Sequence, residues 1–145
     1  MILASKADES ELEFVWAIDQ RVLGNSSRKE FLSRAVRDGQ CVLARIKDTV
    51  VGFGILENSF YNQGFISLLL VHPDYRRQGV AKALIRHIES ICPTEKLFTS
   101  TNKSNFTAQQ VFEALGFAES GYIENLDEGD PEIIYFKSLE AKNKS

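Results

Sequence analysis

Hydrophobic and polar residues follow two different spacings along the chain, and these spacings predict a series of helices and strands. Apolar residues every three or four positions indicate a helix, whereas continuous or alternating apolar runs indicate a strand. Helices are predicted to start near Asp8, near Ser27, at Val80 and at Asn105. Strands are predicted near residues 2–4 and over 41–46, 49–56, 65–71, 97–99, 118–124 and 133–139. This order predicts an α/β protein.

Polar and glycine residues mark where the first two helices begin and end. Asp8–Glu11 and Ser27–Glu30 each have the four-residue spacing of a capping box, in which a side chain and a backbone amide bond each other reciprocally. Gly24 and Gly39 follow the two apolar patterns, and glycine ends helices because it readily adopts left-handed backbone. Both helices are therefore expected to be short and to precede the strands.

Length and composition bound the domain count and the class of partner. A chain of 145 residues without linkers, repeats or low-complexity tracts predicts a single domain over residues 1–145. The net charge of -3 argues against a general nucleic-acid-binding protein. The sequence leaves the oligomeric state open, with a homodimer as one option.

Cysteine usage and hydropathy indicate the compartment. Cys41 and Cys92 are isolated in apolar surroundings without metal-ligand spacing, so they are expected to be core thiols in a reducing environment. Residues 1–8 lack the charged and apolar regions of a secretion signal, and no apolar run is long enough to cross a bilayer. A cytoplasmic protein without membrane contact is therefore expected.

A phosphate-binding loop is predicted between the strand over 65–71 and the helix that starts at Val80. Pro73 ends the strand because it lacks an N–H, and Gly79 permits close approach of the backbone to a ligand. The free N–H groups and the dipole of the following helix favour an anion. Arg76 and Arg77 add positive charge. Neither the Rossmann nor the P-loop fingerprint occurs in the chain.

Two motifs in this order resemble the GNAT (Gcn5-related) N-acetyltransferase superfamily. Arg76, Gly79 and Ala81 match the coenzyme A signature of that family, and residues 71–75 match its usual lead-in. Residues 105–117 match its later helix, which begins with Asn and ends in Leu-Gly-Phe. The resemblance implies a mixed, mostly antiparallel central sheet of about six or seven strands with a splayed parallel pair, flanked by about four helices.

The resemblance also implies acetyl-CoA as cosubstrate, no metal, and a set of cofactor contacts. The pyrophosphate would meet the loop and the helix start, at Arg76, Arg77, Gln78, Gly79, Val80 and Ala81. Backbone groups of Leu69, Leu70 and Val71 would pair with the pantetheine like an added strand. Asn105 and Phe112 would complete the cofactor site from the later helix. Asn105 has an equal alternative as the N-cap of that helix.

Phe112 is a departure from the family pattern. Most members carry a tyrosine at this position, four residues before the Gly of Leu-Gly-Phe, and that tyrosine protonates the leaving thiolate. Phenylalanine cannot donate a proton. Another hydroxyl or a water could supply it, the thiolate could leave unassisted, or the protein could bind acyl-CoA without much catalysis.

The function implied is transfer of acetyl from acetyl-CoA to a primary amine of a small molecule or peptide, directly in a ternary complex. Glu57, at the end of an apolar strand, is the candidate base, with a solvated surface residue as the alternative. On the splayed strand, where several members hold a base, this chain offers only Ser67. Acidic residues over 119–132 suit a cationic acceptor or form a solvated loop. A non-catalytic acyl-CoA-binding sensor or accessory module is the rival function.

Overall fold

The computed structural model describes residues 1–139, which form seven strands and four helices. In chain order these elements are β1 (Ile2–Lys6), α1 (Leu12–Leu23), α2 (Lys29–Arg37), β2 (Cys41–Ile46), β3 (Thr49–Phe60), β4 (Gln63–Val71), α3 (Val80–Ile91), β5 (Lys96–Asn102), α4 (Phe106–Ala114), β6 (Ala118–Ile123) and β7 (Glu132–Ser138).

All seven strands belong to one sheet with the order β1-β2-β3-β4-β5-β7-β6. The pairs β1–β2, β2–β3, β5–β7 and β6–β7 are antiparallel, whereas β4 and β5 are parallel. This arrangement confirms the predicted fold class, a mixed and mostly antiparallel sheet with a parallel pair and four helices. The connection from β4 to β5 contains α3, as a parallel pair requires.

The contacts of the chain divide it into two compact units, and the first contains residues 1–56 and 68–91. Its core lies between α1, α2 and the strands β2 and β3, and includes the fully buried Val15, Leu32, Leu43, Phe53 and Ile55. Helix α3 also packs closely on β3. A Cβ added at Gly52 would lie 2.9 Å from Val80 Cγ1 and from the Leu70 carbonyl oxygen, so this position requires glycine.

Among the described residues, the second unit contains 57–67 and 92–139. Phe65, Phe98 and Phe136 lie opposite one another on β4, β5 and β7 and therefore share one face of the sheet. Rings on this face contact each other, with centroids 5.4 Å apart for Phe98 and Phe136. The other face carries Thr99 and Tyr135, and α4 packs there through Phe112.

The element boundaries differ from the predicted ones in ways that have local causes. The capping box at Asp8 is confirmed, although it opens a 3-10 turn over Glu9–Glu11 that leads into α1. The second predicted capping box is wrong, because α2 begins at Lys29 with no side-chain bond at its N-cap. Ser27 instead lies in a turn in which its amide donates to Asn25 Oδ1 at 2.9 Å.

Strands β3, β4 and β5 are longer than the sequence pattern predicted. The β3–β4 hairpin extends to a two-residue turn at Tyr61 and Asn62, which both have positive φ, as the tightest hairpin turns require. Polar residues within these strands interrupt the apolar pattern, so the sequence predicted shorter strands. The prediction of a single domain over 1–145 stays a prediction, and its residues 140–145 lie outside the described part of the chain.

Within residues 1–139, no helix combines the length and the apolar composition needed to cross a membrane.

Candidate functional site

The predicted phosphate loop lies between β4 and α3 and is held at its start by backbone and imidazole bonds. The His72 amide donates to the Val51 carbonyl oxygen at 2.8 Å, which anchors the end of β4 to β3. His72 Nδ1 accepts from the Asp74 amide at 3.0 Å and caps a 3-10 turn over Pro73–Tyr75. His72 therefore has a structural role in the turn.

The next residues form an exposed loop with unusual backbone geometry. Arg76, Arg77, Gln78 and Gly79 are all exposed. Arg77 has φ +63° and Gly79 has φ +86°, so the chain turns through two left-handed residues before α3. A Cβ added at Gly79 would have Ile2 Cδ1, 3.9 Å away, as its nearest neighbour. The space in front of this backbone is therefore open to a ligand.

Gly79 is also the N-cap of α3, and it has no side chain with which to cap the helix. Its carbonyl oxygen accepts the Ala83 amide at 3.0 Å, which is the first helical bond. The preceding amides of the first turn have no intrahelical acceptor, because every helix leaves its first N–H groups without one. Val80, Leu84, Ile85 and Ile88 are buried and hold α3 in place. This end of α3 suits an anion such as a phosphate.

The residues predicted to contact pantetheine lie at the end of β4. Leu69, Leu70 and Val71 are half-buried there. The parallel ladder between β4 and β5 covers only Gly64–Ile66 and Leu97–Thr99, although both strands continue beyond it. At its last residue pair, the Thr99 hydroxyl donates to the Ile66 carbonyl oxygen at 3.0 Å. The carbonyl oxygen of Ile66, the last β4 residue in the ladder, therefore accepts a hydrogen bond from a side chain.

Asn105 forms the N-cap of α4, one of the two roles expected for it. Its Oδ1 accepts the Ala108 amide at 3.1 Å, and its carbonyl oxygen accepts the Gln109 amide at 3.2 Å. The side-chain oxygen is therefore used within the helix. A cofactor contact by Asn105, which stays a prediction, would use its amide nitrogen.

Phe112 lies in the core of the second unit, where it is 4% exposed. Its ring centroid is 5.4 Å from that of Tyr135 and 5.9 Å from that of Phe117. Packing against these two rings accounts for a phenylalanine at this position without a contact to a ligand. Its predicted contact with the cofactor stays a prediction.

Tyr135 carries a hydroxyl beside Phe112, but this hydroxyl is poorly suited to replace the missing acid. Tyr135 is 0% exposed, and its O–H lies 3.3 Å from Glu113 Oε2. Burial, with added effects from the charges of Glu113 and Glu119, raises the pKa of Tyr135 to about 12. A phenol that is harder to ionise than usual is a weaker proton donor toward a thiolate.

Glu57 lies within β3 and not at its end. The strand continues to Phe60, and Glu57 is half-buried while the preceding Leu56 is buried. The expected position at a strand end is therefore wrong, because the hairpin extends three residues beyond Glu57. Its expected role as a base is a separate matter and stays a prediction.

Part of the acidic segment before β7 has a structural role. Asp127 Oδ2 accepts from Asn102 Nδ2 at 2.8 Å. Asp130 accepts the Ser104 amide at 3.0 Å and the Ser104 hydroxyl at 2.6 Å. These bonds join the segment before β7 to the segment before α4. Two of the acidic residues are therefore bonded within the chain, which neither interpretation of this segment had included.

The sequence did not reveal the bond between Ser100 and Glu132. The Ser100 hydroxyl donates to Glu132 Oε2 at 2.7 Å. The two residues are far apart in the chain, and only the β5–β7 register brings them together. No local motif could have signalled the pair. Among residues 1–139, no three His, Cys, Asp or Glu side chains form a group that could hold a metal ion.

The sequence pattern of the acetyltransferase (GNAT) family matches residues 6–117, a range that extends from β1 beyond α4. The chain belongs to this family. The matched range includes the loop before α3 and the N-cap of α4, the two features on which the predicted resemblance was based. The resemblance is therefore confirmed.

The curated relatives share only part of their length with this chain. It is 30% identical over 107 residues to the Cysteine-rich protein 2-binding protein of Mus musculus, covering 68% of this chain and 14% of that protein. It is 32% identical over 85 residues to the Peptidyl-lysine N-acetyltransferase YjaB of Salmonella typhimurium, covering 59% of this chain and 54% of that protein. The chain thus spans a small part of the first and about half of the second.

Solved acetyltransferase structures match most of the chain. A GNAT-family acetyltransferase from Bacillus cereus superposes with a TM-score of 0.93 and 40% identity, covering 95% of this chain and 97% of that one. The structure of yncA from Salmonella typhimurium with its cofactor acetyl-CoA has a TM-score of 0.79 and 10% identity, covering 95% and 94%. At that identity the second structure supports the fold alone.

Proposed function

We propose that this GNAT-family protein is an acetyl-CoA-dependent N-acetyltransferase that transfers acetyl directly to a primary amine in a ternary complex. The observation that carries the proposal is the N-terminus of α3, where Gly79 is the N-cap and the preceding loop is exposed. Family membership and the peptidyl-lysine N-acetyltransferase name of one relative support the reaction class. Membership of the acetyltransferase (GNAT) family also supports acetyl-CoA as the cosubstrate.

The cofactor is proposed to lie along the end of β4 with its pyrophosphate at α3. Amides from Arg77 to Ala81 would bind the phosphate oxygens, and the Arg76 and Arg77 guanidinium groups would add attraction at longer range. The backbone of Leu69–Val71 would pair with the pantetheine amides. The half-buried state of those three residues is compatible with such pairing.

The attacking amine must be neutral, so a group has to take up its proton. We propose this role for Glu57, a half-buried residue of β3, the strand next to β4. A carboxylate can accept the proton directly or through one water. Replacement by Gln should therefore lower the transfer rate without weakening acetyl-CoA binding.

The leaving thiolate is proposed to depart without a protein phenol. Phe112 has no hydroxyl, and the raised pKa of Tyr135 disfavours proton donation from its side. A thiol has an ordinary pKa of about 8.5, so coenzyme A is an acceptable leaving group at neutral pH, with water as the final proton source. If the thiolate leaves without a protein acid, turnover should be slow but measurable.

The acceptor is proposed to be an amine of a small molecule or peptide that carries positive charge in solution. Exposed carboxylates such as Glu124 and Glu128 lie between β6 and β7 and would attract it. A cytoplasmic setting, where acetyl-CoA is available and thiols stay reduced, suits the buried Cys41 and Cys92.

Release of coenzyme A thiol from acetyl-CoA, measured with a panel of amines and lysine peptides, tests the proposal. Steady turnover with at least one amine is expected, and Gly79→Glu should abolish it. Tight acetyl-CoA binding without turnover would instead favour the second candidate, an acyl-CoA-binding sensor or accessory module. The absence of a hydroxyl at the buried Phe112 is the observation that favours this second candidate.

A further inference from the structure

Thr99 has a buried hydroxyl at the point where β4 and β5 stop pairing. The residue is 2% exposed, and its hydroxyl donates to the Ile66 carbonyl oxygen at 3.0 Å. Ile66 and Thr99 are also the last residue pair of the parallel ladder, although β4 continues to Val71 and β5 to Asn102. The side-chain bond therefore lies at the end of the ladder and not within it.

Strand β5 keeps its other partner after it has separated from β4. Its register with β7 runs from the pair of Lys96 and Ser138 to the pair of Asn102 and Glu132 without a shift. On the β4 side, within residues 1–139, no residue pair follows the one at Thr99, and the buried Ser67 Oγ has no hydrogen-bond partner. The backbone of β4 beyond Ile66 is therefore not used by β5.

A hydroxyl at this position can stop a parallel ladder. Such a ladder continues when backbone carbonyl groups accept evenly spaced amides from the neighbouring strand. A side-chain hydroxyl that bonds a backbone group offers that group an alternative to the ladder. The Ile66 carbonyl oxygen has this alternative partner in Thr99. The end of the pairing thus coincides with a side-chain bond to the last β4 carbonyl.

We propose that Thr99 is a positioning residue for acetyl-CoA, an inference that rests on the proposed acetyltransferase function. Its hydroxyl ends the β4–β5 ladder at Ile66, so that the backbone of Leu69–Val71 stays available to the pantetheine amides. Without the hydroxyl, β4 and β5 pair farther along the chain. The cofactor then has to separate them before it binds, which lowers its apparent affinity.

Calorimetric titration of Thr99→Val tests this role, because valine has a similar shape and no hydroxyl. The dissociation constant of acetyl-CoA should rise about threefold to tenfold, the usual worth of one hydrogen bond. The adenosine bisphosphate part of coenzyme A, which lacks the pantetheine, should bind with unchanged affinity. Thr99→Ser keeps the hydroxyl and should restore acetyl-CoA binding. Unchanged acetyl-CoA affinity in folded Thr99→Val, or an equal loss for both ligands, would overturn the proposal.

Thr94→Val is the matched control at the other end of the ladder. The Thr94 hydroxyl oxygen accepts the Gly64 amide at 3.0 Å, and the hydroxyl donates to the Lys96 carbonyl oxygen at 2.8 Å. Both variants remove a threonine hydroxyl that is bonded to β4 or β5, so both should lower stability. Only Thr99→Val should weaken acetyl-CoA binding. A similar loss of affinity in Thr94→Val would indicate general weakening of the sheet and contradict a specific role for Thr99.

Amide hydrogen exchange in the ligand-free protein separates positioning from simple loss of a bond. If the ladder extends in Thr99→Val, exchange should become slower over residues 67–71 and 100–102. A variant that is only less stable should instead exchange faster there, because local opening becomes easier. Unchanged or faster exchange over these residues would overturn the proposal.

Failure of the proposed function has a different signature. A wild-type protein that binds acetyl-CoA but releases no thiol with any amine would disprove the transfer reaction, while the Thr99 comparison is still decided by binding. A wild-type protein that does not bind acetyl-CoA would disprove both. If Thr99→Val does not fold, Thr99→Cys and Thr99→Ser decide. They are similar in size, but a thiol is a weak donor, so Cys should bind acetyl-CoA more weakly. Equal affinities would overturn the proposal.

Discussion

The N-termini of α3 and α4 differ in how the chain satisfies their first amides. Helix α4 begins with Asn105, whose side-chain oxygen accepts the Ala108 amide at 3.1 Å. Helix α3 begins with Gly79, whose carbonyl oxygen accepts the first helical bond and which has no side chain to accept another. An asparagine cap stabilises a helix within the protein, whereas a glycine cap leaves the helix end for a ligand.

This difference shows that the residue types before a helix indicate its role as well as its start. Both helices bury apolar side chains, four in α3 and Phe112 in α4, so burial does not show how each helix start is used. The loop before α3 has two left-handed residues, and Arg77 is one of them although it is not glycine. A non-glycine residue in this conformation is uncommon and often marks a functional segment.

The largest effect is expected from adding a charged side chain at the α3 N-cap. Gly79→Glu should weaken coenzyme A binding by about a hundredfold or more, because it strains the left-handed backbone and places a negative charge at the anion site. Calorimetric titration with coenzyme A measures the change. Gly24→Glu is the matched control, since Gly24 has φ +90° with no atom within 4 Å and lies at the end of α1. Unchanged affinity in a folded Gly79→Glu variant would show that the N-terminus of α3 does not bind coenzyme A.

Removing the Arg77 charge should have a smaller effect that depends on salt. Arg77→Gly should weaken coenzyme A binding by about threefold to tenfold at low ionic strength. The loss should be smaller at high ionic strength, because dissolved ions screen the attraction between an exposed guanidinium and the phosphates. Glycine also suits the φ of +63° at this position, so the fold should not lose stability. Lys47→Gly removes another exposed cation with φ +55° and should leave binding unchanged. A salt-independent loss at Arg77 would contradict a purely electrostatic role.

Removing the α4 cap should lower stability and leave cofactor binding almost unchanged. Asn105→Ala should cost about 1 kcal/mol of unfolding free energy, the typical value for an N-cap. Urea unfolding measures it, and Asn105→Asp, which keeps the acceptor oxygen, should restore most of the loss. A strong loss of coenzyme A affinity in Asn105→Ala, with stability intact, would instead make Asn105 a ligand contact and erase the difference between the two helices.

The smallest effect at neutral pH is expected from removing the Tyr135 hydroxyl, which lies beneath α4. Burial raises the pKa of Tyr135 to about 12, above its ordinary value of 10.0, so the unfolded chain ionises first as pH rises. The stability contributed by the neutral phenol is therefore complete below pH 10.0 and is lost as pH rises toward about 12. Tyr135→Phe should remove this part of the alkaline loss in urea unfolding. Tyr122→Phe is the control, because Tyr122 is 64% exposed. An equal change in both variants would place the titration elsewhere.

The sequence predicted the part of the molecule that depends on local pattern. The order of elements, the capping box at Asp8 and the loop from Arg76 to Ala81 could be read because each depends on residues close together in the chain. The Leu-Gly-Phe motif likewise located the end of α4.

Contacts between distant residues were not predictable in this way. Whether Asn105 caps a helix or binds a ligand depends on where its side chain points, and only the structure assigns the cap. The bonds of Thr99 to Ile66 and of Ser100 to Glu132 depend on strand register. The lack of a partner for Ser67 can be seen only after the hydrogen bonds of its neighbours are known.

The division of β3 and β4 between the two compact units has a consequence for the order of folding during synthesis. The first unit contains no residue after Ile91, so the contacts within it can form once α3 has left the ribosome. The hairpin tip over residues 57–67 has been synthesised by then, but β5, whose Phe98 lies beside Phe60 and Phe65, comes later. A nascent chain therefore carries an exposed aromatic hairpin until β5 emerges. This interval is the stage of biogenesis at which a chaperone that binds aromatic segments would act.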